Sequence, residues 1–134
     1  MVFLCIVHFS AAPSFNTRPR SVVFNERETA VLTCSAVANP RAEITWYRGN
    51  TQISDNHQGS SHHYRVDNRD VTPKASNRAK YCPSEIPHTV IQSTLMIRNS
   101  NGSDTGTYTC KGHNILGATR FEIHALIQVY VEFV

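Results

Sequence analysis

The stretch DTGTYTC, from Asp104 to Cys110, decides the fold of this 134-residue chain. Alternate residues of an extended strand face the same side of a sheet, so Gly106, Tyr108 and Cys110 are expected to point one way. The threonines between them then face the other side. A tyrosine and a cysteine that face inward together indicate a strand whose core contact is a covalent one.

Short alternating segments of this kind recur along the chain, and helical periodicity is hard to find. Turns are predicted at Asn39-Pro40 and at Gly49-Asn50, because proline and glycine favour the backbone angles of turns. The segments predicted as strands are SVVFN, TAVLTCSAV, EITWYR, STLMIRN, GTYTCKGHN and ATRFEIHALIQV. The sequence therefore predicts an all-β domain.

Length and composition exclude several classes of function. The chain is long enough for one domain with its own core. Its net charge of +3 is mild and its 13 Lys and Arg residues are scattered, whereas nucleic-acid binding requires clustered cations. No G-x-S-x-G elbow, phosphate-binding glycine loop or paired carboxylates occur. We therefore expect no catalytic residues, no cofactor and no nucleic-acid partner.

The cysteines and histidines give no metal motif. No C-x-x-C spacing occurs among the four cysteines, which are Cys5, Cys34, Cys82 and Cys110. A long-range disulfide is therefore expected in place of a zinc knuckle or a redox motif. His62 and His63, with His57 nearby, lack a carboxylate or cysteine at ligand spacing. We interpret them as a solvated loop and expect no metal site.

The two ends of the chain are treated apart from the domain. Residues 1–12, MVFLCIVHFSAA, are apolar and end in small residues, as a secretory signal peptide does, although the usual cationic start is missing. They are either a signal peptide or a strand left from a preceding domain. Residues 130–134 form a tail, either a linker to a further domain or an artificial end. Both segments are too short to cross a bilayer as a helix.

From about residue 13 to residue 129 the chain resembles an immunoglobulin-superfamily domain of the intermediate type, or I-set. The stretch APSFNTRPRSVVFNERETAVLTC resembles the opening strands of the family, ITWYRGN its tryptophan strand and STLMIRNSNGSDTGTYTCKGHNILG its final hairpin. The resemblance implies a β-sandwich of two antiparallel sheets with Greek-key connections.

The resemblance also implies roles for individual core residues. Cys34 and Cys110 are expected to form a disulfide between the two sheets, with the Trp46 indole packed against the sulfurs. Leu95 is expected to face the same core. Tyr108, two residues before the second cysteine, matches the tyrosine-corner position.

An ion pair is implied at Asp104. In the family, the matching acid commonly pairs with an arginine on the facing strand. Arg65 and Arg78 are the candidates in this chain, and the sequence leaves the choice between them open.

Two departures from the family pattern stand out. Arg27-Glu28 replaces the usual glycine before the second strand, so that turn lacks its favoured residue. A polar insertion at about 54–89 lengthens the spacing between the paired cysteines, and loops of this length are normally functional or disordered. The insertion carries Cys82, which is expected to be an unpaired thiol, either inert or available for an intermolecular bridge.

The sequon NGS at residues 101–103 predicts a glycan on Asn101 if the chain is secreted. The resemblance implies an extracellular module that binds another protein, homophilically or heterophilically, in cell adhesion or receptor recognition. The 54–89 insertion is our hypothesis for the surface that contacts the partner. The alternative is an intracellular structural module of a muscle or cytoskeletal scaffold.

Overall fold

Nine β-strands and one short 3₁₀ helix are present in the computed structural model, which describes residues 10–16, 20–54, 63–73 and 88–131. The 3₁₀ helix is Gly102–Asp104. The strands are β1 (Ala11–Phe15), β2 (Ser21–Asn25), β3 (Ala30–Asn39), β4 (Glu43–Arg48), β5 (Thr51–Ile53), β6 (Tyr64–Asp70), β7 (Thr89–Ile97), β8 (Gly106–Asn114) and β9 (Gly117–Gln128).

The strands form two sheets that pack face to face. One sheet has the order β1-β3-β7-β6 and the other has the order β2-β9-β8-β4-β5. The chain passes from one sheet to the other between β3 and β4 and again between β7 and β8, as Greek-key connections do. The predicted all-β, immunoglobulin-like sandwich is confirmed.

One strand pair corrects the expectation of two purely antiparallel sheets. β2 runs parallel to β9, with Ser21 opposite His124 and Asn25 opposite Gln128, whereas the other strand pairs of the described residues are antiparallel. The cause is that β1 pairs with the first sheet and β2 with the second. The chain changes sheets between them and continues in the same direction, so it meets β9 in parallel.

The core lies between the sheets and contains the residues that alternation points inward. In β3, residues from Ala30 to Ala38 are buried at every second position. Cys34 and Cys110 form a disulfide with their Cα atoms 6.6 Å apart, and both are fully buried. Trp46 lies opposite Cys110 in the β4–β8 pair, and Leu95 is also fully buried.

The indole of Trp46 also makes a polar contact inside this core. Its Nε1 donates a hydrogen bond of 2.8 Å to Oγ of Ser93, which is fully buried. The bond gives both buried polar groups a hydrogen-bond partner. A buried donor or acceptor without a partner would cost about 1 to 3 kcal/mol of stability.

The turn between β2 and β3 has a residue in the left-handed backbone conformation, although it contains no glycine. Arg27 adopts φ +68°. Its N–H donates to the Ser100 carbonyl at 2.6 Å, and the Ser100 hydroxyl donates to the Glu28 carbonyl at 2.7 Å. These bonds connect the turn to the end of β7 and hold an arginine in a conformation that usually favours glycine.

The described part of the 54–89 insertion contains the edge strand β6, which pairs antiparallel with β7. Cys82 lies outside the described residues. At the amino end, β1 begins at Ala11, two residues before the predicted domain start. Residues 1–9 and 132–134 are also outside the described residues, so the predicted segment boundaries remain predictions.

Removing the disulfide is expected to lower stability strongly. The bond spans a sequence separation of 76 residues, and closing a loop of this size removes roughly 4 to 5 kcal/mol of unfolded-state entropy in the chain-entropy model. The double variant Cys34→Ala/Cys110→Ala should therefore show a much lower free energy of unfolding in urea. A loss below about 1 kcal/mol would show that packing alone joins the sheets.

Candidate functional site

The 3₁₀ helix shapes the corner where the chain enters β8. Asn101 caps the helix, because its Oδ1 accepts from the Ser103 N–H at 2.9 Å. In return, Oδ2 of Asp104 accepts from the Asn101 N–H, also at 2.9 Å. This reciprocal capping box satisfies two backbone donors at the start of the helix.

Tyr108 closes the corner from the core side. Its hydroxyl donates to the Asp104 carbonyl at 2.5 Å, and its side chain is fully buried. Burial raises the pKa of Tyr108, because the phenolate would lose its hydration; Tyr64 and Asp104 add to the increase. The structure thus places Tyr108 at the tyrosine-corner position that the sequence predicted.

The Asp104 carboxylate is buried and contacts an imidazole and a guanidinium. Its Oδ1 lies 2.8 Å from Nε2 of His63 and 4.0 Å from Nη1 of Arg48. The Arg48 guanidinium also donates to the carbonyls of Ser103 and, at 3.2 Å, Thr105. Among the described residues, His63 and Arg48 are therefore the groups found against Asp104, whereas the sequence offered Arg65 or Arg78.

Arg65 is the wrong partner because of its side of the strand. Tyr64 and Val66 of β6 pack against the core, and Arg65 between them is exposed on the other face. Arg78 lies outside the described residues. No local signal in the sequence identifies His63 or Arg48, because the register of β6 and the end of β4 decide which side chain meets the acid.

The candidate binding surface is the side of the sandwich where the edge strands β5 and β6 face each other, which we call the open side. It has two clefts. The first, of about 680 Å³, is lined by Arg48, Gly49, residues 51–54, Tyr64 and Thr107. The second, of about 580 Å³, is lined by residues 41–45, Asn68 and Ile91.

The second cleft exists because β5 is too short to cover β4. β5 pairs with β4 only from Trp46 to Arg48, so among the described residues the start of β4 has no neighbour on this side. Thr45, which lines the cleft, has a buried hydroxyl oxygen without a hydrogen-bond partner in the described part of the chain. The cleft thus combines an open strand edge with an apolar floor.

Other residues singled out in the sequence lie apart from this side. Asn101 is exposed, and only its Oδ1 caps the helix, so a glycan on its Nδ2 remains compatible with the fold. His57 and His62 are outside the described residues. Within residues 10–16, 20–54, 63–73 and 88–131, no group of three or more His, Cys, Asp or Glu side chains could hold a metal. No helix found among those residues is long and apolar enough to span a membrane.

Comparisons with known proteins agree with this architecture. A family model described as "Immunoglobulin domain" matches residues 12–114. The muscle M-line assembly protein unc-89 of Caenorhabditis elegans is 23% identical over 95% of this chain, contactin-5 of Gallus gallus 25% over 90%, and the peroxidasin homolog of Mus musculus 29% over 88%. The chain spans only 1%, 9% and 6% of these three relatives, respectively.

Solved structures share the fold at low sequence identity. The complex of titin M10 with an obscurin-like 1 Ig domain matches with a TM-score of 0.65 and 18% identity, covering 92% of this chain and 100% of the matched chain. The complex of Dpr2 Ig1-Ig2 with DIP-Theta Ig1-Ig3 matches with a TM-score of 0.66 and 19% identity, covering 87% of this chain and 32% of the other.

The phenol of Tyr108 is expected to make stability depend on pH in the alkaline range. Because the pKa of Tyr108 is raised in the folded state, the unfolded chain loses this proton first, at about pH 10. The contribution of the neutral Tyr108 phenol to the free energy of unfolding is therefore complete below that pH. It is lost as the pH rises toward the folded-state pKa. Tyr108→Phe should lower stability at pH 7 by about 1 to 2 kcal/mol and flatten the alkaline decline measured by urea unfolding. An unchanged slope would contradict this assignment.

The partner of Asp104 is testable by double-mutant cycles. His63→Ala should destabilise the protein by about 1 kcal/mol, and this loss should largely disappear in the Asp104→Asn background. Arg65→Ala is the matched control, which should change the free energy of unfolding by less than about 0.5 kcal/mol in either background. Coupling of Asp104 to Arg65 but not to His63 would reverse the assignment.

Proposed function

Because this chain belongs to the immunoglobulin-domain family, we propose that it is an extracellular protein-binding module of the adhesion or receptor type, acting by recognition without catalysis. The open side carries this proposal. It presents two clefts and two strand edges on a sandwich cross-linked by a disulfide. Strand edges offer main-chain hydrogen bonds to a partner, and the clefts beside them offer specificity.

Several features support an extracellular location. The Cys34–Cys110 disulfide is of the kind that persists in oxidising compartments. The exposed sequon at Asn101 and the apolar start of the chain are further features of secreted proteins. Contactin-5 and the peroxidasin homolog are among its relatives. The intermediate subtype remains part of this proposal.

Protein recognition is supported by the contexts in which similar domains were solved. Two of the matched structures are complexes between Ig-domain proteins, titin M10 with an obscurin-like 1 Ig domain and Dpr2 Ig1-Ig2 with DIP-Theta Ig1-Ig3. In this chain we assign the partner to the open side, because its described strand β6 and part of both clefts belong to the 54–89 insertion.

A second candidate function is an intracellular structural module. It is favoured by the muscle M-line relative and the titin neighbours. In that setting the thiols of Cys34 and Cys110 would stay reduced, and the sandwich would act as a spacer.

Expression in a secreting eukaryotic host followed by mass spectrometry separates the two locations. The extracellular proposal predicts cleavage within the first residues, a Cys34–Cys110 disulfide and a glycan on Asn101. A retained Met1 with reduced cysteines in the protein recovered from that host would contradict it and favour the scaffold.

A glycan introduced at the open side tests where the partner binds. Gln52→Asn creates the sequon Asn-Ile-Ser on β5 and should abolish binding to any ectodomain that the protein recognises in a panel of purified ectodomains. Gly117→Asn, which creates Asn-Ala-Thr at the start of β9, is the matched control. A Cβ at this position would make only an ordinary contact of 3.5 Å with Ala12. Loss of binding with the Gly117 variant alone would move the surface to the β8–β9 turn.

A further inference from the structure

The outer edge of β6 is the longest open strand edge of the described domain. β1, β2, β5 and β6 end the two sheets. β5 has only three residues, and β1 contains Pro13 and a register irregularity, features that block pairing at an edge. β2 has five residues and no charged side chain. β6 has seven residues in regular register with β7.

Hydrogen bonds at both ends of β6 show which backbone groups point outward. The His63 carbonyl accepts from the Arg98 N–H at 2.8 Å, and the Val71 N–H donates to the Val90 carbonyl at 2.8 Å. Because the direction of the backbone N–H and C=O groups alternates along a strand, those of the odd-numbered residues point toward β7. Tyr64, Val66, Asn68 and Asp70 therefore direct their N–H and C=O groups to the open edge, where no strand of the described chain pairs with them.

Charges of alternating sign line the solvent face of the same strand. Arg65, Asp67 and Arg69 share this face, and Nε of Arg69 lies 3.2 Å from Oδ2 of Asp67. The side chains of Asp67 and Arg69 keep 40% and 74% of their accessible surface. They are therefore available to a strand placed alongside β6.

We propose that β6 is a homophilic docking edge, on which a second copy of this chain adds its own β6 in antiparallel orientation about a two-fold axis. The outward backbone groups of the even-numbered residues then meet those of the partner and form the main-chain hydrogen bonds. This inference rests on the proposed protein-binding function, because it assigns a partner to the open side.

The charges select the register of this pairing. A two-fold axis at Val66 places Asp67 opposite Arg65 of the partner subunit, and an axis at Asn68 places Asp67 opposite Arg69 of the partner subunit. An axis at Asp67 would instead oppose the two aspartates, and like charges directly opposite each other destabilise a sheet. In both favoured registers, each Asp67 faces an arginine of the other copy.

A pairing of about five β6 residues per strand buries less surface than the standard stable interface. The dimer is therefore weak and forms at high local concentration, as on apposed surfaces. If the charges only protect an edge strand from aggregation, the protein stays monomeric, and this is the outcome that opposes the proposal.

Sedimentation equilibrium of the full chain over a wide concentration range tests the proposal. Thiols are alkylated first, so that an intermolecular disulfide is not counted as a dimer. The wild type should show a reversible monomer–dimer equilibrium, and Asp67→Arg should weaken it roughly tenfold or more. Glu122→Arg, on the exposed face of β9, is the matched control and should leave the equilibrium unchanged.

A charge-swapped triple variant gives the decisive result. Arg65→Asp/Asp67→Arg/Arg69→Asp reverses the three charges on the solvent face of β6, so it should dimerise with itself as the wild type does. Mixed with the wild type, it should form heterodimers in the register centred on residue 67, because each of these charges then faces its opposite. Asn68→Pro removes an outward N–H while the β7 ladder keeps its bonds, and it should also abolish the dimer.

A monomer at all concentrations, or a swapped variant that neither dimerises with itself nor pairs with the wild type, would overturn the inference. If heterologous ectodomain binding then remained sensitive to the glycan at position 52, the proposed function would stand without the homophilic partner. Loss of both results would remove the open side as a binding surface.

Discussion

The cross-link between Cys34 and Cys110, with Trp46 packed beside it, is the constraint on which the rest of the structure depends. It joins β3 of one sheet to β8 of the other, and the hydrogen bond from the indole to Ser93 adds β7 to the same unit. Strands β3, β4, β7 and β8 thus hold one another through contacts that no edge strand supplies. The edge strands add residues such as Ile53 and Val66 to the rim of this core, and their solvent faces are free to vary.

The corner around Asp104 connects this core to the open side of the sandwich. Tyr108 precedes Cys110 by two residues on β8, and its hydroxyl fixes the Asp104 carbonyl. The carboxylate of the same residue caps the 3₁₀ helix and contacts His63, the residue just before β6. A single buried acid therefore connects the central strand to the start of the edge strand. A buried carboxylate is tolerated only when it is paired and hydrogen-bonded, so the contact with His63 helps to hold Asp104 in its buried position.

The sequence predicted the parts of the fold that are buried on one face. In β3 and β8, alternation alone identified Cys34, Tyr108 and Cys110 as inward residues, because a face that packs on the core must be apolar at every second position. The direction of β2 was missed, since alternation is the same in parallel and antiparallel strands. His63 and Arg48 were missed because the partner of Asp104 depends on register between distant segments. The clefts were also beyond the sequence, because the shortness of β5 that leaves β4 uncovered became visible only in the sheet pairing.

The charges of β6 connect solubility with recognition. An exposed edge strand of seven residues would aggregate if it were apolar, and charges of one sign would repel every copy of the chain. Arg65, Asp67 and Arg69 alternate instead, so pairing is unfavourable in the register that opposes like charges and favourable in the neighbouring ones. The alternating charges that keep this edge soluble therefore also select the register in which a second strand pairs with it. Recognition at this edge requires no change in the core, since these three side chains face away from the disulfide and the indole.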